Sequence, residues 1–152
     1  YSGLIYSKGS AVLHHLRHCV NDDDVWWETL REFNTTYRYK NAGTAEFRAL
    51  LEANTEREWG QFFDEWFFGE GAPKLNGDVQ ANGSMLHVDV TMEGDFHLPL
   101  DVTWTEDGEA KSHRFELVEG ANALKLECEV TPTDIQVPHI GRLPGRHKVE
   151  AH

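Results

Sequence analysis

The hydrophobic period of this chain changes once along its length, and that change restricts the fold more than any other feature. Up to Phe67, apolar side chains recur at spacings of three and four, the period of one helix face; beyond Pro73 they recur at every second position, the period of a strand. Between the two patterns lie Gly69, Gly71 and Pro73, two flexible residues and one lacking an amide, which together end a helix. The expected fold class is α+β, an N-terminal four-helix segment followed by a small antiparallel β-sandwich. The expected divisions are residues 1–72 (helical), 73–138 (sandwich) and 139–152, a tail with scattered bases and no period that reads as irregular.

Within the first part, Val12, Leu13, Leu16, Cys19 and Val20 mark one face of a helix over residues 7–20. Asn21 and the run Asp22-Asp23-Asp24 stop it and start a second, because short side-chain acceptors satisfy the free amides of a helix N-terminus and favour its positive end. That second helix carries Trp26, Leu30, Phe33 and Tyr37, with Trp27 beside the stripe, and ends at Asn41-Ala-Gly43. Thr44 opens a third, with Phe47, Leu50 and Leu51. Thr55-Glu-Arg-Glu58 has the spacing of a capping box and predicts the start of a fourth. Its aromatics Trp59, Phe62, Phe63, Trp66 and Phe67 can each bury ~150 to 250 Å².

In the second part, strands are expected over 75–80, 85–91, 97–104, 111–118, 123–130 and, shorter, 134–137. Asn82-Gly83, Glu93-Gly94, Asp107-Gly108 and Glu119-Gly120 punctuate them as turns. Pro99 must lie at an edge or bulge, since it cannot donate to a ladder. Trp104 reads as core rather than as a sugar platform.

Composition removes several functions. With 14 Lys plus Arg against 26 Asp plus Glu, the formal charge is -12, which repels nucleic acid and anionic lipid alike. No run approaches the roughly 18 to 20 apolar residues of a membrane span. Cys19 and Cys128 exclude a disulfide framework and read as two free, partly buried thiols, which leaves the compartment open.

Three groups of residues could carry chemistry. His14 and His18 lie four apart, as in the zinc-chelating H-E-x-x-H motif, but position 15 is His where that motif has its general base, and Arg17 opposes a cation; the cluster reads as a solvated helix face, with no metal site in this chain. Asp22–Asp24 read as helix caps, and Asp64 and Glu65 as the polar side of the aromatic helix. The third candidate is Tyr6, which opens Tyr6-Ser-Lys8-Gly9 and sits five residues after Tyr1. The chain begins with no initiator Met and no apolar leader, which reads as a cut edge.

Tyr6-Ser-Lys8-Gly9-Ser-Ala-Val-Leu-His-His-Leu resembles the Tyr-x-Lys-Gly helix of the zinc aminopeptidases related to aminopeptidase N and leukotriene hydrolase. Asp24-Val-Trp26 through Tyr37 resembles that family's next helix, Thr44-Ala-Glu-Phe47 its Thr-x-x-Asp/Glu-Phe segment, and Phe62-Phe-Asp-Glu-Trp66 through Gly71-Ala-Pro73-Lys-Leu75 its Phe-Phe-x-x-Trp…Gly-x-Pro close. The four segments stand in the family's order and cover residues 1 to about 75.

The resemblance implies that residues 1–72 are the C-terminal helical part of a metallopeptidase catalytic domain and that a β-sandwich module follows. It implies that Tyr6 donates to the oxyanion of the tetrahedral intermediate, and that Tyr1 lies near the substrate. It also implies a parent protein that uses zinc to hydrolyse N-terminal residues from peptide substrates. The H-E-x-x-H motif and distant Glu ligand lie upstream of Tyr-x-Lys-Gly in the family and are not in this chain, so the isolated chain is expected to hold no zinc and to be inactive. Its expected partners are the missing N-terminal part of the catalytic domain or, through the cut surface, a second copy. The rival reading is a non-catalytic binding or scaffolding module for a protein or glycan.

Overall fold

The computed structural model describes residues 2–143 and 146–152, with side chains for 9–143 and 147–152. The chain divides into two compact units, Tyr1–Glu70 and Gly71–His152. Helices make up the first and strands the second, as the change of period requires.

In the helical unit, α1 (Ser2–Val20) buries Val12, Leu16, Cys19 and Val20, and Asn21 ends it in the left-handed conformation that Asn tolerates. The Arg57 guanidinium donates to the Cys19 carbonyl at 3.2 Å, satisfying one of the acceptors that a helix C-terminus leaves open. Asp22 caps α2 (Asp23–Thr36) by accepting from the Val25 amide at 3.0 Å. Trp26 and Thr29 are the buried residues of α2, and Phe33 meets Phe47 of α3 (Thr44–Thr55) edge-on at 5.3 Å. At the start of α3 the Gly43 amide donates to the Glu46 carboxylate at 2.8 Å.

The capping box expected at Thr55 does not form. Thr55 is instead the last residue of α3; its hydroxyl donates back to the Leu51 carbonyl at 2.6 Å and accepts from the Trp59 indole at 2.8 Å. Glu56 turns into the left-handed region, and the Trp59 amide donates to Glu52. With Thr55 closing α3 and its hydroxyl engaged elsewhere, the next helix starts later, as a short turn α4 (Gly60–Phe63) that runs into a π-helical turn, Asp64–Phe68. Trp59, Phe62, Phe63 and Trp66 are buried, so the aromatic stripe faces inward although the helix widens beneath it. Gly69 closes the π turn because a Cβ there would stand 2.2 Å from the Glu65 carbonyl oxygen.

The second unit holds two sheets. One has the order β5-β2-β1-β7, the other β4-β3-β6, built from β1 (Lys74–Asn82), β2 (Met85–Glu93), β3 (Leu98–Glu106), β4 (Glu109–Leu117), β5 (Gly120–Glu127), β6 (Thr133–Gln136) and β7 (Arg146–Ala151). Alternation puts Leu86, Val88, Val90 and Met92 of β2 and Leu98, Leu100, Val102 and Trp104 of β3 in the interior. The β3–β4 hairpin turns on Asp107 and Gly108, both with positive φ, as a two-residue loop requires. β6 pairs with β3 at Thr103 and Thr105, away from Pro99, which therefore stands where its missing amide removes no ladder bond on that side.

Two features depart from expectation. Residues 139–152 are not irregular: a 3-10 turn, Ile140–Arg142, is followed by β7. And β7 pairs with β1 in parallel, Leu75 opposite His147 through Val79 opposite Ala151, so the sheets are not wholly antiparallel. β7 has few apolar residues to announce it; it is held by the open edge of β1, whose amides and carbonyls need partners.

Candidate functional site

The candidate chemistry concentrates on α1. Tyr6 lies within this helix, with its side chain outside the described residues, and Tyr1 lies outside them altogether. The described part of α1 shows how the helix is held. His14 and His18 are half-buried, whereas His15 is fully buried. The expected solvated histidine face therefore does not hold at His15, because the aromatic stripe of the α4 and π turns closes over it. Its ring centroid lies 4.4 Å from that of Trp66 and 5.6 Å from that of Phe62, and its Nε2 is 3.6 Å from the Cys19 thiol one turn on.

His15 occupies the place of the motif's general base, and it faces indole and phenyl rings. Within the helical unit, among the described residues, no three His, Cys, Asp or Glu side chains converge on one point. The missed residue was detectable in part: His15 and Cys19 are spaced i, i+4 on the apolar stripe, but their enclosure by Trp66 depends on a turn that no local pattern announces.

The carboxylates singled out by spacing are structural. Asp22 is the α2 cap, and Asp24 lies in its first turn. Asp23 accepts from Arg17 at 2.8 and 2.6 Å, a bidentate contact that draws the Asp23 carboxyl below its ordinary range and raises the guanidinium. Arg17 also lies over the Trp27 ring at 5.1 Å. Glu65 accepts from Gln61 at 2.7 Å. Glu52 accepts first from the Trp59 amide and then from Arg48, which together depress its pKa.

Two cavities stand out among the described residues. One, of about 280 Å³, lies along α3 between Arg48, Glu52, Phe63 and the exposed Phe68. The other, of about 220 Å³, lies at the β3–β4 turn beside Glu106, Lys111 and Glu129. Glu106 is buried and accepts from the Val130 amide at 3.0 Å, the Trp104 indole at 3.2 Å and the Glu129 amide; the Val130 amide contributes most to holding its carboxyl below the usual range. Burial pushes the neighbouring Cys128 thiol upward, and the two cysteines form no disulfide with one another. Neither cavity pairs a nucleophile with a base. No helix among the described residues is long and apolar enough to cross a membrane.

No family model matches the chain. Human glutamyl aminopeptidase is 27% identical to it over 128 residues, spanning 76% of this chain and 13% of that protein. The crystal structure of Legionella pneumophila aminopeptidase A in complex with aspartic acid shares its fold, with a TM-score of 0.67 over 93% of this chain and 17% of that one, at 10% sequence identity. The chain thus corresponds to a small share of either protein's length. In sequence the chain is similar to part of an aminopeptidase, and in fold to part of another.

Proposed function

We propose that the chain is part of a longer zinc-dependent aminopeptidase that removes N-terminal residues from peptides, and that α1 contributes Tyr6 to its active site. The observation that carries this reading is the similarity to glutamyl aminopeptidase across 76% of the chain, beside the Tyr-x-Lys-Gly sequence and the ordered segments that follow it. Zinc, held by residues outside this chain, supplies the activated water in such an enzyme. Tyr6 supplies a phenol with reference pKa of about 10, which stays protonated at neutral pH and can donate to an oxyanion without competing as a base. Tyr1, on the same approach, contacts substrate. The strand unit is a β-sandwich module, and it contributes no group to the reaction.

Such a donor acts where charge develops, in the transition state. In the full-length protein, Tyr6→Phe is expected to lower kcat by about 10² to 10³ while leaving KM nearly unchanged. Near-normal turnover in that variant removes Tyr6 from the mechanism. The isolated chain, which contains no H-E-x-x-H sequence, is expected to release no amino acid from a chromogenic aminoacyl substrate.

A further inference from the structure

Most of α1's described buried side chains are aliphatic or thiol: Val12, Leu16, Cys19 and Val20. Burial of such groups is favourable but non-directional, so it holds a helix against its neighbours without choosing one axial position. His15 differs. It is the one polar side chain buried on α1 among the described residues, with no measurable exposure, and it is a flat ring. Its plane stands at 56° to the Trp66 indole at a centroid distance of 4.4 Å, with Phe62 on a second side at 34° and 5.6 Å. Ring pairs have preferred offsets and tilts, so this contact favours one register of α1 along the partner turn. The partner is itself unusual: Trp66 is the middle residue of the π-helical turn Asp64–Phe68, a turn only Gly69 can close. The Arg57 bond to the Cys19 carbonyl holds the same end of the helix from another segment.

We infer that His15 is a positioning residue: through its contact with Trp66 it fixes the axial register of α1, and with it the placement of Tyr6 on the same helix. The inference rests on the functional reading of Tyr6 given above. Tyr6 precedes His15 by about 13 Å of helix rise at 1.5 Å per residue, within a single unbroken helix, so a slip at His15 is transmitted along the rod. A displacement of about 1 Å at a reacting group is enough to cost up to about 100-fold in rate.

The test is a mutant cycle in the full-length protein, with folding checked by circular dichroism. His15→Leu removes the ring at similar volume and is expected to lower kcat about 10- to 100-fold at unchanged KM, whereas His15→Phe, which keeps a flat ring against Trp66, is expected to retain most of the activity. In the Tyr6→Phe background His15→Leu should change kcat little, because a residue acting only through Tyr6 has nothing left to position. Should His15→Leu not fold, Trp66→Leu, which removes the other ring of the contact, carries the same expectation. The positioning role is overturned if these variants leave kcat untouched or lower it by the same factor with and without the Tyr6 phenol. Near-normal turnover in Tyr6→Phe alone instead overturns the functional reading, and the positioning role falls with it.

Discussion

The two units put buried polar groups to different uses. The strand unit buries Glu106 and Asn122 and gives each several backbone partners: Glu106 accepts from the Glu129 and Val130 amides, while Asn122 accepts from the Val118 amide at 3.0 Å and donates to the carbonyls of Val90, Val118 and Gly120. The helical unit gives the buried Thr29 hydroxyl a backbone partner too, the Val25 carbonyl at 2.8 Å, but it also buries His15 among rings and a thiol. In the first case polar groups close turns between strands, a task finished once the backbone is satisfied. In the second a polar ring sets how one helix lies on another. Side chains that only close turns leave a unit chemically quiet; side chains that set a helix's register belong to an element whose position matters.

The comparison is broken most severely at Trp66. Trp66→Ala is expected to destabilise the helical unit by about 3 to 5 kcal/mol, read from urea unfolding followed by helical circular dichroism, because it removes the ring against His15 and leaves a cavity. A loss below about 1 kcal/mol would show that the aromatic interior collapses freely and fixes nothing. Next in size is Asn122→Ala, which strands the Val118 amide and three carbonyls; about 1 to 3 kcal/mol is expected, with faster amide exchange confined to the β4–β5 turn and its neighbours. Unchanged exchange there would mean that water replaces the amide without loss. Asp22→Ala removes one cap from α2 and should cost about 1 kcal/mol, visible as fraying at Asp23–Val25 in the same exchange measurement.

Acidity separates nothing between the units, and that is itself a prediction. Glu52 in the helical unit and Glu106 in the strand unit both have carboxyls held below their ordinary range, chiefly by backbone amides. A carboxyl lowered in the folded state binds its proton more weakly there than in the unfolded chain. Its contribution to stability is present above the unfolded value of about 4.3 and fades as pH falls through the lowered one. Both units should therefore lose stability below about pH 4, and Glu52→Gln and Glu106→Gln should each flatten that loss in an acid titration of unfolding. An acid limb that neither substitution alters would assign the loss to other carboxylates.

Much of the architecture was legible because it is written locally. Asp22 caps a helix, and Asp107-Gly108 makes a two-residue hairpin, whatever lies around them. The misreadings occur where a local signal lost to a tertiary one. Thr55 and Glu58 have capping-box spacing, but Thr55 is the last residue of α3 and its hydroxyl is held between the Leu51 carbonyl and the Trp59 indole. Trp59, Phe62, Phe63 and Trp66 fit an α period, and nothing in that pattern distinguishes the π turn at Asp64–Phe68 that carries Trp66. Residues 146–151 are largely polar, so β7 is visible only from the edge of β1 that it completes. At the candidate site, Tyr6 is singled out by its motif alone, while His15, read from sequence as part of a solvated face, is buried by a meeting with Trp66 that no local pattern announces.

The pairing of β7 with β1 has a mechanical consequence. The first and last strands of the unit run side by side in the same direction, with Lys74 level with Arg146 and Val79 level with Ala151. Tension entering at the start of β1 and leaving at the end of β7 therefore runs along the ladder and loads its hydrogen bonds together in shear. An antiparallel closing strand would have let the same pull peel them apart one by one. In a longer polypeptide, that makes the unit a stiff link along the chain.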